Sequence, residues 1–230
     1  MRGWVGALLI APVLILILGL YGYPLFDLVR ASLFVTRRGI DEFAGLANYH
    51  KALTSPHFYQ AVANSFLWTG LSLAIQLIVP FLLALLLNQR FWGNTAARVL
   101  MLVPWVTPTV VVAIMLRWLL EPNVGLVNRF LRQVGLISGW VDFLGSPGSA
   151  LPTLVVANSW QFLPFGTLLI FAGLQTIPRE VVEAAWVDGA GSWERFRYII
   201  FPMLGPVIGF VFFLAFVWNF NTLGFIWLTT

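Results

Sequence analysis

Residues 176–202 read TIPREVVEAAWVDGAGSWERFRYIIFP, a long polar segment held between two long apolar ones. The pattern predicts two short helices. Pro178 suits a first helical turn, where its missing N–H is not needed. Glu180 and Glu183 fall early, where the helix dipole favours carboxylates. Val181, Ala184 and Ala185 recur at i, i+3 and i+4 and form one small apolar face. Gly189 and Gly191 then stop the first helix. Ser192 is placed to cap a second helix, which Pro202 is expected to end. A polar hairpin of this kind between apolar runs is either a docking element or an amphipathic loop lying on a bilayer surface. Its four acids (Glu180, Glu183, Asp188, Glu194) against three bases (Arg179, Arg195, Arg197) give no net attraction to anionic lipid.

The rest of the chain supplies the bilayer. Apolar residues make up 60% of it and charged residues 10%, with a mean hydropathy of +0.88. A soluble domain carries about 25% charge, so this is an integral membrane protein. The net charge of +4 comes from bases scattered over loops, with no aromatic-interleaved basic patch, and nucleic acid is not expected as a partner. There are no cysteines, hence neither a disulfide framework nor a thiolate metal site. His50 and His57 share one loop without a ligand cluster, and no metal site is expected. Lys51, the only lysine, precedes alanine, so no P-loop GK[ST] exists in the chain. ATP-driven work here would require hydrolysis on another polypeptide.

Taken in order, residues 3–26 run uncharged and are long enough to span a ~30 Å hydrocarbon core. A cleaved signal peptide would have a shorter apolar region and a small-x-small site. Residues 27–62 are mixed and polar. The second span is expected near 64–88, its ladder interrupted by Pro80. The third, near 99–120, has 18 uncharged residues between Arg98 and Arg117 and contains Pro104 and Pro108. A short, proline-broken span points either to a substrate path or to a kinked packing helix. A loop over 121–150 follows, with NVGLVNRFL as a short helix. The fourth span covers 151–177 and the fifth 198–230, where Gly205 and Gly209 have the spacing of a close helix contact. Arg and Lys split six against seven between the two sides (Arg2, Arg37 and Arg38 among them), so the positive-inside rule does not orient the chain.

Glu183-Ala184-Ala185, Gly189, Ile199, Phe201 and Pro202 stand at the spacings of the EAA loop of binding-protein-dependent ABC importer permeases. That pattern is EAA, three residues, Gly, nine residues, Ile-x-Leu-Pro, and Phe201 for Leu is the one departure. The words LQTIPREVVEAAWVDGAGSWERF resemble the carbohydrate-uptake branch, with its maltose-type and glycerol-phosphate-type permeases. Residues 43–53, FAGLANYHKAL, are similar to the Gly-Leu-x-Asn-Tyr segment after the first helix of such permeases.

The resemblance implies an all-α polytopic membrane bundle of about five spans, with 1–230 as one permease domain and 176–202 as a cytoplasmic coupling loop. It also implies a sixth span missing by C-terminal truncation after Thr230. The N-terminus would lie inside a bacterial or archaeal plasma membrane. The function implied is transfer of a sugar or related polyol from an extracytoplasmic binding protein to the cytoplasm. Expected partners are a second, similar permease subunit (a heterodimer) and two ATPase subunits. ATP and Mg²⁺ would be bound by those ATPases, with no cofactor and no catalytic residue on this chain. Coupling would fall to Glu180, Glu183, Ala184, Ala185, Asp188, Gly189 and Ala190. In that role Glu183 orients the docking helix, Ala184 and Ala185 allow close approach, and Gly189 sets the turn.

No Asp, Glu, Lys or Arg falls in the centre of any predicted span, which argues against a proton pump or ion-driven carrier. Buried amides remain, among them Gln76, Asn158, Gln161, Asn219 and Asn221. They match sugar hydroxyls as donors and acceptors, or they serve as interhelical glue. The maltose-type motifs align with NSWQFLPF at 158–165, WNFNT at 218–222 and Val103-Pro104-Trp105. Carried over, the substrate-path residues are Trp105, Asn158, Gln161, Phe162, Phe165, Trp218, Asn219 and Thr222. Two other classes stand beside this reading, an intramembrane enzyme and a non-transporting membrane scaffold. The enzyme needs ionisable groups at membrane depth, where none falls.

Overall fold

The computed structural model describes residues 3–37 and 39–229. Arg2 and Arg38, both counted in the charge balance, and Thr230 lie outside the described residues. The chain divides into two compact units, 1–63 and 64–230.

In the first unit, α1 (Gly3–Ile17) passes through one π turn (Leu18–Gly22) into α2 (Tyr23–Ser32). The apolar helix is thus continuous from Trp4 to Ser32 and 29 residues long. It runs past Asp27 and Arg30, where a loop was expected: the π turn ahead of Pro24 takes up the bond that proline cannot donate, and nothing after Pro24 breaks the ladder before Leu33. Two strands follow, β1 (Phe34–Arg37) and β2 (Ile40–Phe43), which the sequence reading did not contain. They pair antiparallel with Phe34 opposite Phe43 and Thr36 opposite Asp41. The two phenyl rings meet edge to face at 5.4 Å, and the Thr36 hydroxyl donates to Asp41 Oδ1 at 2.7 Å. Helix α3 (Ala47–Thr54) carries the Asn-Tyr of the Gly-Leu-x-Asn-Tyr word. Its Asn48 amide donates to the carbonyls of Ser32, at the end of α2, and Phe34, at the start of β1, at 2.9 Å each. The Gly-Leu-x-Asn-Tyr word is therefore a clamp on the end of the first span.

The second unit is a helix bundle. Helix α4 (Pro56–Leu87) passes through Pro80 without breaking. Pro80 is buried against Gly166, where a Cβ would lie 3.2 Å from the proline ring. Then come α5 (Asn94–Met101), α6 (Val103–Val106) and α7 (Thr109–Leu119), with α5–α6 and α7 meeting at 93° around Thr107 and Pro108. A short α8 (Leu126–Gln133) lies within the long loop, and α9 (Pro147–Gln175) follows. The hairpin is α10 (Arg179–Val187) and α11 (Ser192–Arg195). A π turn (Phe196–Ile200) leads into α12 (Phe201–Asn221), and α13 (Leu223–Thr229) closes the described chain.

Pro202 does not end the second hairpin helix as expected. The wide π turn absorbs the hydrogen bond that proline cannot donate, and one helix runs from Ser192 to Asn221. The expected fifth span breaks instead at Thr222. The bent pair α5–α7 makes a single crossing. Residues 88–98 and 174–183 line one cavity, so α4 and α9 end on the same side. The chain must then cross between 98 and 147, and four long spans become five.

One packed layer gathers Ala84, Phe162, Ile170, Leu204, Val211 and Ala215 from α4, α9 and α12. A second gathers Trp68, Val112, Leu154, Val155 and Phe225. Between the spanning helices the glycines at close approaches are Gly166 and Gly173, not the predicted Gly205 and Gly209. A Cβ on Gly173 would meet Val207 at 3.0 Å and Leu204 at 3.2 Å, whereas nothing lies within 4 Å of one on Gly205 or Gly209. We expect Gly173→Val to cost about 1–3 kcal/mol by overpacking and to lower the thermal unfolding midpoint of the purified protein in detergent. Gly205→Ala and Gly209→Ala should leave that midpoint unchanged or slightly raised. Equal losses at all three positions would contradict this packing.

Candidate functional site

The hairpin is built by its backbone. Helix α10 stops at Gly189, whose φ of +86° is open to glycine and strained for other residues. The Ala190 N–H donates to the Ala185 carbonyl at 2.9 Å and the Gly189 N–H to Trp186 at 3.1 Å, a Schellman ending. The chain restarts at Gly191, which occupies the cap position expected for Ser192. The Gly191 N–H donates to Glu194 Oε2 at 2.7 Å, so a carboxylate one turn on does the capping. Pro178 likewise sits at the cap of α10, one residue before its first turn.

Of the seven predicted coupling residues, Glu180, Glu183, Ala184, Asp188 and Gly189 are exposed, and Ala185 and Ala190 are half-buried. Large apolar side chains are exposed beside them, Trp186 at 67% and Val187 at 83%. This hairpin therefore presents an unpartnered apolar and acidic face. Arg179, Val182 and Glu183 of α10 also line a cavity of about 870 Å³ with Arg90, Asn94 and Arg98 of the 88–98 connection. Those three residues were not among the predicted site residues. Asn94 and Arg98 each donate to the Leu87 carbonyl at 2.9 Å and so tie the connection to the end of α4.

At the far end of the bundle the predicted path residues divide into two groups. Asn219 is 3% exposed and forms a hub. Its Nδ2 donates to Gln76 Oε1 at 2.8 Å, and its Oδ1 accepts from Asn158 Nδ2 at 2.8 Å. Trp68 Nε1 donates to its backbone carbonyl at 3.2 Å. These bonds tie α4, α9 and α12 together. Asn158, Gln161, Phe165, Trp218 and Thr222 line a cavity of about 520 Å³, together with Thr109 and Asn221. That volume is in the range of small-molecule sites. Among the described residues none of its lining side chains is charged. Phe162 stands behind it, its ring 5.6 Å from Phe165 and 6.3 Å from Trp218. Trp105 stacks at 5.7 Å on Phe165. Gln161 Nε2 donates to the Thr107 carbonyl at 3.0 Å and so satisfies the backbone freed at the break of the third span.

Residues 76–230 match the family described as binding-protein-dependent transport system inner membrane component. The chain belongs to that family. It is 35% identical over 205 residues to the trehalose/maltose transport system permease protein MalF of Thermococcus litoralis, covering 88% of this chain and 69% of that one. It is also 35% identical over 204 residues to the sulfoquinovosyl glycerol transport system permease protein SmoG of Agrobacterium fabrum, covering 87% and 66%. In structure it resembles a bacterial ABC transporter involved in the import of the acidic polysaccharide alginate, with a TM-score of 0.79 and 26% identity over 98% of this chain and 76% of that one. The alginate transporter in complex with alginate pentasaccharide-bound periplasmic protein gives 0.77 and 27%, covering 93% and 72%. The chain is a multi-pass inner-membrane permease.

In this permease the loop opposite the hairpin is rigidly built. Asn128 is buried and exchanges hydrogen bonds with the Val141 backbone at 2.9 and 3.0 Å. The Glu121 carboxylate accepts the N–H groups of Val124 at 2.6 Å and Asn123 at 2.8 Å. The Val124 N–H is the largest cause holding the Glu121 carboxyl below its ordinary value of 4.5; partial desolvation opposes it and Asn123 reinforces it. A depressed carboxyl pKa stabilises the loop above the unfolded value, and that stability is lost as pH falls through the folded one. The unfolding midpoint should therefore decline as pH drops below about 4.5. Glu121→Gln should remove that part of the decline, and a carboxyl ¹³C titration should place the Glu121 midpoint below the ordinary value. A midpoint at or above it would contradict this geometry.

Proposed function

We propose that this permease is one of two membrane subunits of an ATP-driven importer, and that it passes a neutral sugar or related polyol from an extracytoplasmic binding protein to the cytoplasm. The observation that carries the reading is the helix Ser192–Asn221. It joins the exposed hairpin at one end to the Asn219 hub and the uncharged cavity at the other. Thirty residues span about 45 Å, so a push on the hairpin is delivered as a rigid displacement near the cavity. The named relatives serve trehalose, maltose, sulfoquinovosyl glycerol and alginate. The lack of charge around this cavity favours a neutral solute among such classes.

In this reading the N-terminus and the hairpin are cytoplasmic. Two ATPase subunits bind ATP and Mg²⁺, and one docks on Glu180, Glu183, Ala184, Ala185, Asp188, Gly189 and Ala190. A second, similar permease completes the pathway. Gln161, Asn158 and Thr222 offer polar partners to sugar hydroxyls, while Trp218, Phe165 and Trp105 offer flat faces to the C–H surfaces. Phe162 and Asn219 hold that wall from behind. Chemistry on ATP is assigned to the partner chains, and this chain converts their closure into motion.

The test is purification of the tagged chain from its native membrane. A second permease and a P-loop ATPase should come with it, and the reconstituted complex should accumulate a saccharide delivered by its binding protein. A complex that assembles yet moves no saccharide or polyol in a broad screen would overturn the solute assignment. A chain that purifies alone would overturn the assembly.

A further inference from the structure

We propose that the cavity between α10 and the 88–98 connection binds the phosphate headgroup of an acidic phospholipid. Three guanidinium side chains line it, Arg90, Arg98 and Arg179, against the single carboxylate Glu183, a net of +2. At about 870 Å³ it has room for a phosphodiester headgroup. The Arg98 side chain is fixed in place. Its Nη2 donates to the Leu87 carbonyl at 2.9 Å, and the guanidinium lies 4.4 Å over the Phe171 ring. Its Nε–H is buried and has no partner. Arg98 is thereby held in the lining, and Arg90 and Arg179, both exposed, are the accessible guanidinium groups for a phosphate oxygen.

The position selects the lipid. The cavity opens where α4 and α9 end, at headgroup depth, and basic pockets between spans at that depth suit anionic headgroups. Trp92, fully exposed, and Tyr198, 75% exposed, flank it as interfacial aromatics. A second, apolar groove of about 210 Å³ lies further along the same helices, lined by Leu77, Phe81, Leu82, Ile170, Phe201 and Ile208. Its residues continue the cavity's own faces: Ile170 is one turn from Leu174, and Phe201 follows Ile200. A headgroup in the basic cavity places an acyl chain within reach of that groove. The bound lipid would bridge the hairpin to the bundle. This inference does not depend on the solute, and it shares Glu183 with the proposed ATPase-docking face.

The experiment is titration of the purified assembly with dioctanoyl phosphatidylglycerol, read by native mass spectrometry. Dioctanoyl phosphatidylcholine and inorganic phosphate are titrated in parallel. Arg90 and Arg179 are at the rim, so Arg90→Gln/Arg179→Gln is expected to fold. It should weaken phosphatidylglycerol at least tenfold, and Leu82→Trp, which fills the groove, should weaken it without changing any phosphate binding. Phosphatidylcholine should bind at least tenfold more weakly than phosphatidylglycerol. Equal binding of the two lipids, or no effect of the double substitution, overturns the proposal. So does inorganic phosphate displacing the lipid at equal affinity, since the site then takes free phosphate. An assembled complex that retains no phosphatidylglycerol assigns the cavity to a partner subunit and overturns it as well.

Discussion

Gly189→Val should cut solute uptake by about tenfold or more while the chain stays in the membrane in near-normal amount. The argument is conformational. Gly189 has φ +86°, and a β-branched residue there is a strong outlier costing about 1–3 kcal/mol. Nothing lies within 4 Å of a Cβ at this position, so the substitution does not disturb the bundle. The chain either holds the strained turn or releases it. Release loses the Ala190-to-Ala185 and Gly189-to-Trp186 hydrogen bonds and swings the Ala184–Asp188 end of α10 out of register. A shift of about 1.4 kcal/mol in the docked population is already tenfold. Asparagine tolerates the left-handed region far better, so Gly189→Asn should keep most of the uptake. The measurement is uptake into proteoliposomes beside ATP hydrolysis by the same assembly. Hydrolysis should continue while transport fails. Full coupling in the valine variant would remove the hairpin from the coupling role.

The turn at Gly189 is legible in the sequence alone, because a Schellman ending needs a residue that takes positive φ and the EAA spacing puts a glycine there. The spans were legible for a similar reason: backbone groups in lipid must bond within their own segment, so long uncharged runs become helices. Their ends were less legible. Charge alone does not stop a helix, and the first span runs through Asp27 and Arg30 to Ser32. Pro202 was over-read as a breaker: it stays inside a helix because a π turn absorbs it, while Pro80 interrupts the ladder of α4 without ending it, with Gly166 making room for its ring. Only at Thr107–Pro108, where the Gln161 amide takes up the freed carbonyl, does the chain turn sharply. The strand pair was missed because its signal is just four residues in each strand. Arg90 and Arg98 were read as loop charges; nothing in their spacing announced that α10 would fold back over them. Among the amides, composition could not separate Gln161, at the cavity, from Gln76, buried in the hub. That distinction belongs to helix facing, which emerges only when α4, α9 and α12 are packed.

Asn219→Ala should destabilise the bundle by about 2–4 kcal/mol, the largest stability loss expected from any single side chain in the path motifs. Two short interhelical bonds vanish, those to Gln76 Oε1 and from Asn158 Nδ2, and with them the Nδ2 bond to the Ala215 carbonyl within α12. Interhelical hydrogen bonds within membranes contribute about 0.6–1.7 kcal/mol each. The larger cost is what remains: the Gln76 and Asn158 carboxamides are buried and lose partners, at about 1–3 kcal/mol for each group left unsatisfied. The Trp68 bond survives, because it ends on the Asn219 backbone carbonyl. Replacing Gln76 as well should therefore cost less than the sum of the single changes. A double-mutant cycle with Gln76→Leu and Asn219→Leu should show a coupling of about 0.5–3 kcal/mol. The comparison that gives this meaning for transport is Gln161→Ala. Gln161 lines the cavity, so its loss should raise the solute concentration needed for half-maximal transport-coupled hydrolysis, with a smaller drop in unfolding midpoint than Asn219→Ala because the Thr107 carbonyl is the one backbone group it leaves without that bond. Asn219→Ala should do the reverse, lowering the midpoint while the folded fraction keeps its solute dependence. If Asn219→Ala unfolds normally and shifts solute dependence instead, the hub is part of the solute site, and α12 reaches the cavity through a different face from the one seen here.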